Sequence, residues 1–97
     1  MVYTEAAKRL RNEREVRWAA EGKISAPRFR CECSRPDCDL LLTISDLEWQ
    51  EVRSRPNRFA VAPWHAARPF DATVEEYPNF SLIEKQGRAG VLAAELA

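Results

Sequence analysis

An α+β fold is what this sequence predicts: a small antiparallel sheet with one capped helix, a peripheral N-terminal helix, and a knuckle built on three cysteines and a histidine. Three observations predict it. Short β-like runs bounded by Pro, Gly, Ser and Asp recur through the second half of the 97 residues. Ser45-Asp46-Leu47-Glu48 has the form of a helix-starting capping box. Cys31, Cys33, Cys38 and His65 are the only cysteines and the only histidine in the chain.

The elements follow in order. Residues 4–21 are expected to form a helix, with Thr4 as N-cap, frequent Ala, and i,i+4 charge pairs such as Arg9–Glu13 and Arg11–Glu15. Its apolar stripe (Ala6, Leu10, then Val16 or Trp18, Ala19 and Ala20) is thin and drifts out of register. Such a helix is expected to pack weakly on its own body, or against a neighbour. Gly22 and Pro27 bracket a linker, so residues 1–27 divide from a stapled domain over 28–97. Phe29–Cys33 and Asp39–Ile44 read as strands joined by Ser34-Arg35-Pro36-Asp37. The period of two puts Phe29, Cys31 and Cys33 on one face and Arg28, Arg30 and Glu32 on the other.

A helix from Asp46 to about Ser54 follows, with Leu47, Trp49 and Val52 as its apolar positions and Pro56 ending it. Arg58–Pro63 is a strand, and Trp64–Pro69 is a loop that carries His65. Two more strands, Phe70–Glu76 and Phe80–Glu84, meet at Tyr77-Pro78-Asn79. Lys85-Gln86-Gly87 is a turn, and Ala89–Leu96 is a short closing helix.

Three thiols and one imidazole make a Cys3His donor set, which is common for a structural zinc ion and leaves no coordination position open for substrate. Cys31-x-Cys33 supplies two donors from one strand, Cys38 returns across the Pro36 loop, and His65 comes from far along the chain. The ion would then staple the two halves of the sheet together. Arg30, Arg35 or backbone amides are expected to temper the thiolate charge. If His65 is not a ligand, Asp37, Asp39 or water takes the fourth place. A domain this small gains from a staple, because it buries only about two-thirds of its unfolded surface.

A 2Fe-2S cluster is the chemical alternative. Cys31-x-Cys33…Pro36-Asp37-Cys38-Asp39 looks like the start of the motif of CDGSH-type iron–sulfur proteins, which also use three Cys and one His. Here the loop between the second and third Cys is shorter, Leu40 stands where that motif has Gly, and the nearby His is absent.

Formal charge is zero but uneven. Residues 1–35 hold nine basic against five acidic groups, a net of +4, and the remainder carries −4. The bland reading is a solvated helix with its own salt bridges; the sharper one is an anionic partner, nucleic acid included, met by Arg9, Arg11 and Arg14. Trp64 is the aromatic residue most open to exposure, either as a partner contact near Arg68 or as a lid over the metal. An odd cysteine count fits a reducing, cytoplasmic setting better than a secreted disulfide framework. No apolar run approaches the ~18 residues of a membrane helix, and the N-terminus has no secretory h-region. No Gly-rich phosphate loop is present, and Glu75 and Glu76, adjacent on a strand, cannot act as a carboxylate pair.

From Phe29 to about Ala94 the chain resembles a family of small, uncharacterised bacterial proteins found especially in actinobacteria. The knuckle is Phe29-x-Cys31-x-Cys33…Cys38. The middle pattern is Ile44-Ser45-x-x-Glu48-Trp49-x-x-Val52-Arg53-x-x-Pro56-x-Arg58-Phe59-x-Val61-x-Pro63-Trp64-His65. The closing pattern runs from Phe80-Ser81-Leu82-Ile83-Glu84-Lys85-Gln86-Gly87 to Gly90. The resemblance implies that His65 is the fourth ligand, and it departs at Trp64, where Gly is usual before the histidine. It implies no activity. The expectation is therefore a non-catalytic, zinc-stabilised binding module, a regulator or adaptor acting through protein contacts. Its alternatives are a nucleic-acid-binding transcriptional regulator and an iron–sulfur redox sensor. A second copy of the chain is also an admissible partner.

Overall fold

The computed structural model describes residues 2–66 and 71–97. The order is α1 (Val2–Ala20), β1 (Phe29–Arg30), β2 (Leu41–Leu42), α2 (Asp46–Val52), β3 (Arg58–Val61), β4 (Asp71–Glu76), β5 (Ser81–Lys85) and α3 (Gly87–Glu95). β1 and β2 form a two-stranded antiparallel ladder, with Phe29 opposite Leu42. The other three strands form an antiparallel sheet in the order β3-β5-β4. This is the expected α+β architecture. Phe70, the expected first residue of the fourth strand, and Arg68 lie outside the described residues.

Local chemistry accounts for the element ends. The capping box forms: Ser45 Oγ accepts from the Glu48 N–H, and Glu48 accepts from the Ser45 N–H. Gly87 opens α3 at a φ of 58°, a left-handed value that glycine adopts without a steric penalty. Three residues on, Gly90 is buried where a Cβ would collide with the Lys85 carbonyl, so α3 lies directly on the end of β5.

The apolar core lies between the small ladder, α2 and the three-stranded sheet. Phe59, Val61, Phe80, Leu82, Ile83 and Val52 are fully buried, and Phe29 packs on Trp49 with ring centroids 4.9 Å apart. Leu47, an expected core position of α2, is instead exposed. It sits in the first turn, one residue after the first helical position, and the core reaches only the face carrying Trp49 and Val52.

The N-terminal helix departs most from expectation. It docks mainly through a polar face: Leu10 and Tyr3 are exposed, whereas Glu5, Lys8, Arg9, Asn12 and Glu15 are buried, and of the apolar stripe Ala6 is buried and Val16 packs against the core. The expected pairs along the helix give way to pairs with the body. Glu13 meets Arg53 at 2.7 Å, Glu15 meets Arg28 at 3.2 Å, and Arg11 meets Asp39 at 3.1 Å. Arg9 donates to the carbonyls of Pro56 and Ala93 and lies over the Phe59 ring. At the start of the helix Glu5 pairs with Lys85, which also meets Asp71, and all three side chains are removed from solvent. Burial raises the Glu5 carboxyl above its ordinary range, and the Lys85 ammonium pulls it part of the way back.

Candidate metal centre

Cys31 and Cys33 follow β1 directly, and both are buried. The strand pairing is brief, but its continuation is held: the Cys31 N–H donates to the Leu40 carbonyl at 2.8 Å, and the Glu32 N–H donates to the Ala60 carbonyl at 2.8 Å. That second bond ties the knuckle to the edge of β3. The Pro36 loop closes when the Cys38 N–H reaches the Arg35 carbonyl at 3.2 Å, which brings the third thiol back. His65 arrives through a tight turn after β3, in which its N–H donates to the Ala62 carbonyl at 3.0 Å.

Pro63 and Trp64 occupy the centre of that turn, and Trp64 has a φ of 66°. A turn with Pro at its second position and a positive φ at its third is the arrangement that glycine satisfies best. Trp64 at this position therefore loads the turn with strain of about 1–2 kcal/mol. Trp64 is 95% exposed, so it is no lid over the metal site. Trp64→Gly is expected to raise stability by roughly 0.5–1 kcal/mol, because the released strain exceeds the extra chain entropy of glycine. Thermal melts check this; an unchanged or lower midpoint contradicts the strain.

The four donor atoms converge. All lie within 4.8 Å of one another. His65 Nδ1 is 3.5 Å from Cys31 Sγ and 3.6 Å from Cys38 Sγ. A single tetrahedral ion with arms of ~2.3 Å to sulfur and ~2.0–2.1 Å to nitrogen has a sulfur–nitrogen edge of about 3.5 Å. The two observed edges match it, so Cys31, Cys33, Cys38 and His65 can hold one metal ion. Of the other acidic candidates, Asp39 is engaged by Arg11 and Arg30. All three cysteines are free thiols.

The surroundings suit ligand chemistry. Burial pushes the Cys31 thiol up to about 12, with Cys33 and Cys38 adding to the push and the Ala62 N–H opposing it. Clustered thiols of this kind do not ionise together unless a cation offsets their charge. Burial also raises Cys33, but the Arg35 N–H, the neighbouring thiols and the Lys8 ammonium outweigh it and hold that thiol below its ordinary value. Burial lowers His65, and Arg35 and Lys8 lower it further, which favours the neutral imidazole that a ligand must be.

Hydrogen bonds to sulfur come from a backbone amide, as expected, and from a lysine that the sequence does not mark. The Ala62 N–H donates to Cys31 Sγ at 3.1 Å. Lys8, from α1, places its Nζ 3.7 Å from Cys33 Sγ and 3.0 Å from the Cys33 carbonyl, and also donates to the Arg35 carbonyl. Arg30, an expected tempering group, bonds Asp39 instead, at 2.7 Å. Glu32, which strand alternation puts on the face opposite the cysteines, is fully buried. It accepts from the Ala60 N–H at 2.8 Å and from Asn12 at 2.9 Å, and burial raises its carboxyl to about 7 against those bonds. No sequence signal marks its burial, because strand alternation says only that it lies opposite the cysteines.

The proposed partner residues divide. Arg9 is 1% exposed and its donors are spent inside the fold, so it cannot meet a partner. Arg14 is exposed and lies over the Trp18 ring at 4.9 Å. Arg11 is partly exposed. No helix among the described residues is long and apolar enough to cross a membrane. Neither a family model, nor a curated protein, nor a solved structure matches this chain.

Proposed function

We propose that this protein is a non-catalytic binding module whose fold is stapled by one zinc ion on Cys31, Cys33, Cys38 and His65, and that it works through protein contacts as a regulator or adaptor in a reducing compartment such as the cytoplasm. The observation that carries this reading is the pair of sulfur–nitrogen edges at 3.5 and 3.6 Å within a four-donor cluster. With four protein donors on one ion, no position is left to activate a substrate. A two-iron cluster shares four donors between two irons and spreads them wider than one ion's tetrahedron, so the close grouping favours the single ion. Free thiols and an odd cysteine count support the reducing setting. The knuckle and turn motifs support membership of the bacterial family they resemble. Elemental analysis of the purified protein tests the reading: one equivalent of zinc and a colourless solution are expected, and a brown, iron-containing protein or a metal-free one would defeat it.

A second reading is favoured by the way α1 distributes its charge. Its carboxylates turn toward the body, where Glu5, Glu13 and Glu15 each have a cationic partner. Arg14 and Arg17 form no ion pair among the described residues, and with Ala7, Leu10, Arg11 and Glu13 they line an open groove of 460 Å³. A face of this kind suits an anionic partner, nucleic acid included. Fluorescence anisotropy with a labelled duplex and a labelled single strand at low salt checks it. Binding that weakens with salt, and is at least tenfold weaker in the Arg14→Glu, Arg17→Glu double variant, is the expected result. No binding to either probe removes nucleic acid as the partner.

A further inference from the structure

Three thiolates around a divalent ion leave the centre with an excess negative charge, and a buried excess charge requires a counter-ion. Among the described residues the cation at the thiolates is Lys8. It lies a third of the way along α1, it is buried, and its Nζ faces Cys33 Sγ at 3.7 Å while the Cys33 and Arg35 carbonyls fix its direction. No other lysine or arginine side chain is hydrogen-bonded to one of the three sulfurs among the described residues; the other groups at the sulfurs are the Ala62 and Arg35 N–H groups, the His65 ring and the thiols themselves.

We infer that Lys8 is the built-in counter-ion of the metal centre, and that through it metal occupancy and the docking of α1 are one linked equilibrium. The inference rests on the zinc reading above. Its physical content is reciprocal: if the ammonium stabilises the metal–thiolate charge, the filled centre stabilises the docked position of the helix that carries the ammonium by the same factor. The bonds around Lys8 place it for this role. Two carbonyls orient the ammonium, so it remains at the sulfur and does not extend into solvent as a surface lysine does. Asn12, one helical turn on, grips Arg30 and Glu32 in the same knuckle: its side chain donates to the Arg30 carbonyl at 2.8 Å and to Glu32 at 2.9 Å, and accepts from the Arg30 N–H at 2.9 Å. The helix therefore holds the metal loop at two successive turns, first by charge and then by amide bonds.

The experiment measures zinc affinity by chelator competition in the full chain, for the parent, Lys8→Met and Lys8→Arg. Lys8→Met keeps most of the stem and removes the charge; it is expected to weaken zinc about tenfold, a difference of about 1.4 kcal/mol. Lys8→Arg is expected to remain within about threefold of the parent. In the cobalt(II)-substituted protein, the sulfur-to-cobalt charge-transfer band should move to longer wavelength in Lys8→Met, because the thiolate loses its stabilising cation; loss of packing alone would not shift it. Hydrogen exchange across α1 should be faster after chelation of the parent. If Lys8→Met does not fold, Lys8→Gln carries the same comparison. A parent that binds no metal would sink the zinc reading itself. A parent that binds zinc, with Lys8→Met within twofold of it or Lys8→Met and Lys8→Arg equally weakened, would overturn the counter-ion alone. Unchanged exchange in α1 would overturn the linkage.

Discussion

Removal of the metal by a chelator is expected to lower the melting temperature by about 15 °C or more, the equivalent of about 3 kcal/mol for a domain of this size. The magnitude follows from where the donors come from. Cys31 and Cys33 follow the small ladder and His65 follows β3, so an ion bound to them would close a loop of more than thirty residues between the two sheets. Without it, β1 and β2 pair over two residues each, too little to hold a hairpin by itself. His65→Ala and Cys38→Ser should each reproduce most of the loss and should no longer respond to the chelator. A melting temperature indifferent to chelation, in a protein shown to carry zinc beforehand, would mean that the ion is not the staple. The three-stranded sheet and α3 are expected to survive longest, since their core of Phe59, Phe80, Leu82 and Ile83 does not depend on the donors.

Lys85→Met is expected to cost about 3–5 kcal/mol, comparable with loss of the metal, because it leaves Glu5 buried without its cationic partner and takes one from Asp71. Its pH dependence has a definite sign. Burial raises the Glu5 carboxyl in the folded parent, and Lys85 is the group that holds the shift in check. In the variant the folded-state value rises further above the unfolded one. The folded variant then binds a proton that the unfolded chain releases, so its deficit is fully expressed at high pH. The deficit shrinks as pH falls through the folded value toward the unfolded one. Denaturant unfolding of parent and variant at several pH values checks this, and the difference between them removes the acid sensitivity of the metal site that both share. A deficit that grows on acidification contradicts the assignment.

Some features of this protein were legible in the residues because they are local. The capping box at Ser45 and Glu48 needs only two side chains three residues apart, and it forms as read. The strand starting at Arg58 and the turn at Tyr77 likewise depend on neighbours in sequence, and the Tyr77 N–H bonds the Phe80 carbonyl at 2.9 Å. The donor set was legible for a different reason: the chain has only four soft ligands, so any metal site of this type had to use them. The docking face of α1 was not legible. Its inward side is built of Glu5, Lys8, Arg9, Asn12 and Glu15, residue types that ordinarily mark a solvated face, and each becomes tolerable in the interior only because a specific partner from another element meets it.

The sequence by itself determined the α+β class, the order of the elements and the candidate donor set, because periodicity, capping and ligand inventory are properties of short stretches and of composition; that His65, and not Asp37 or Asp39, joins the three thiols was decided by the tertiary structure. Only the tertiary structure decided that Arg9 is an interior group and no partner contact, that Trp64 stands in solvent on a strained turn, and that Lys8 faces a cysteine sulfur. The physical reason is common to the three. Whether a charge or an indole is solvated depends on which distant backbone carbonyls, carboxylates and thiols the fold carries to it, and that long-range pairing leaves no trace in the spacing of the residues.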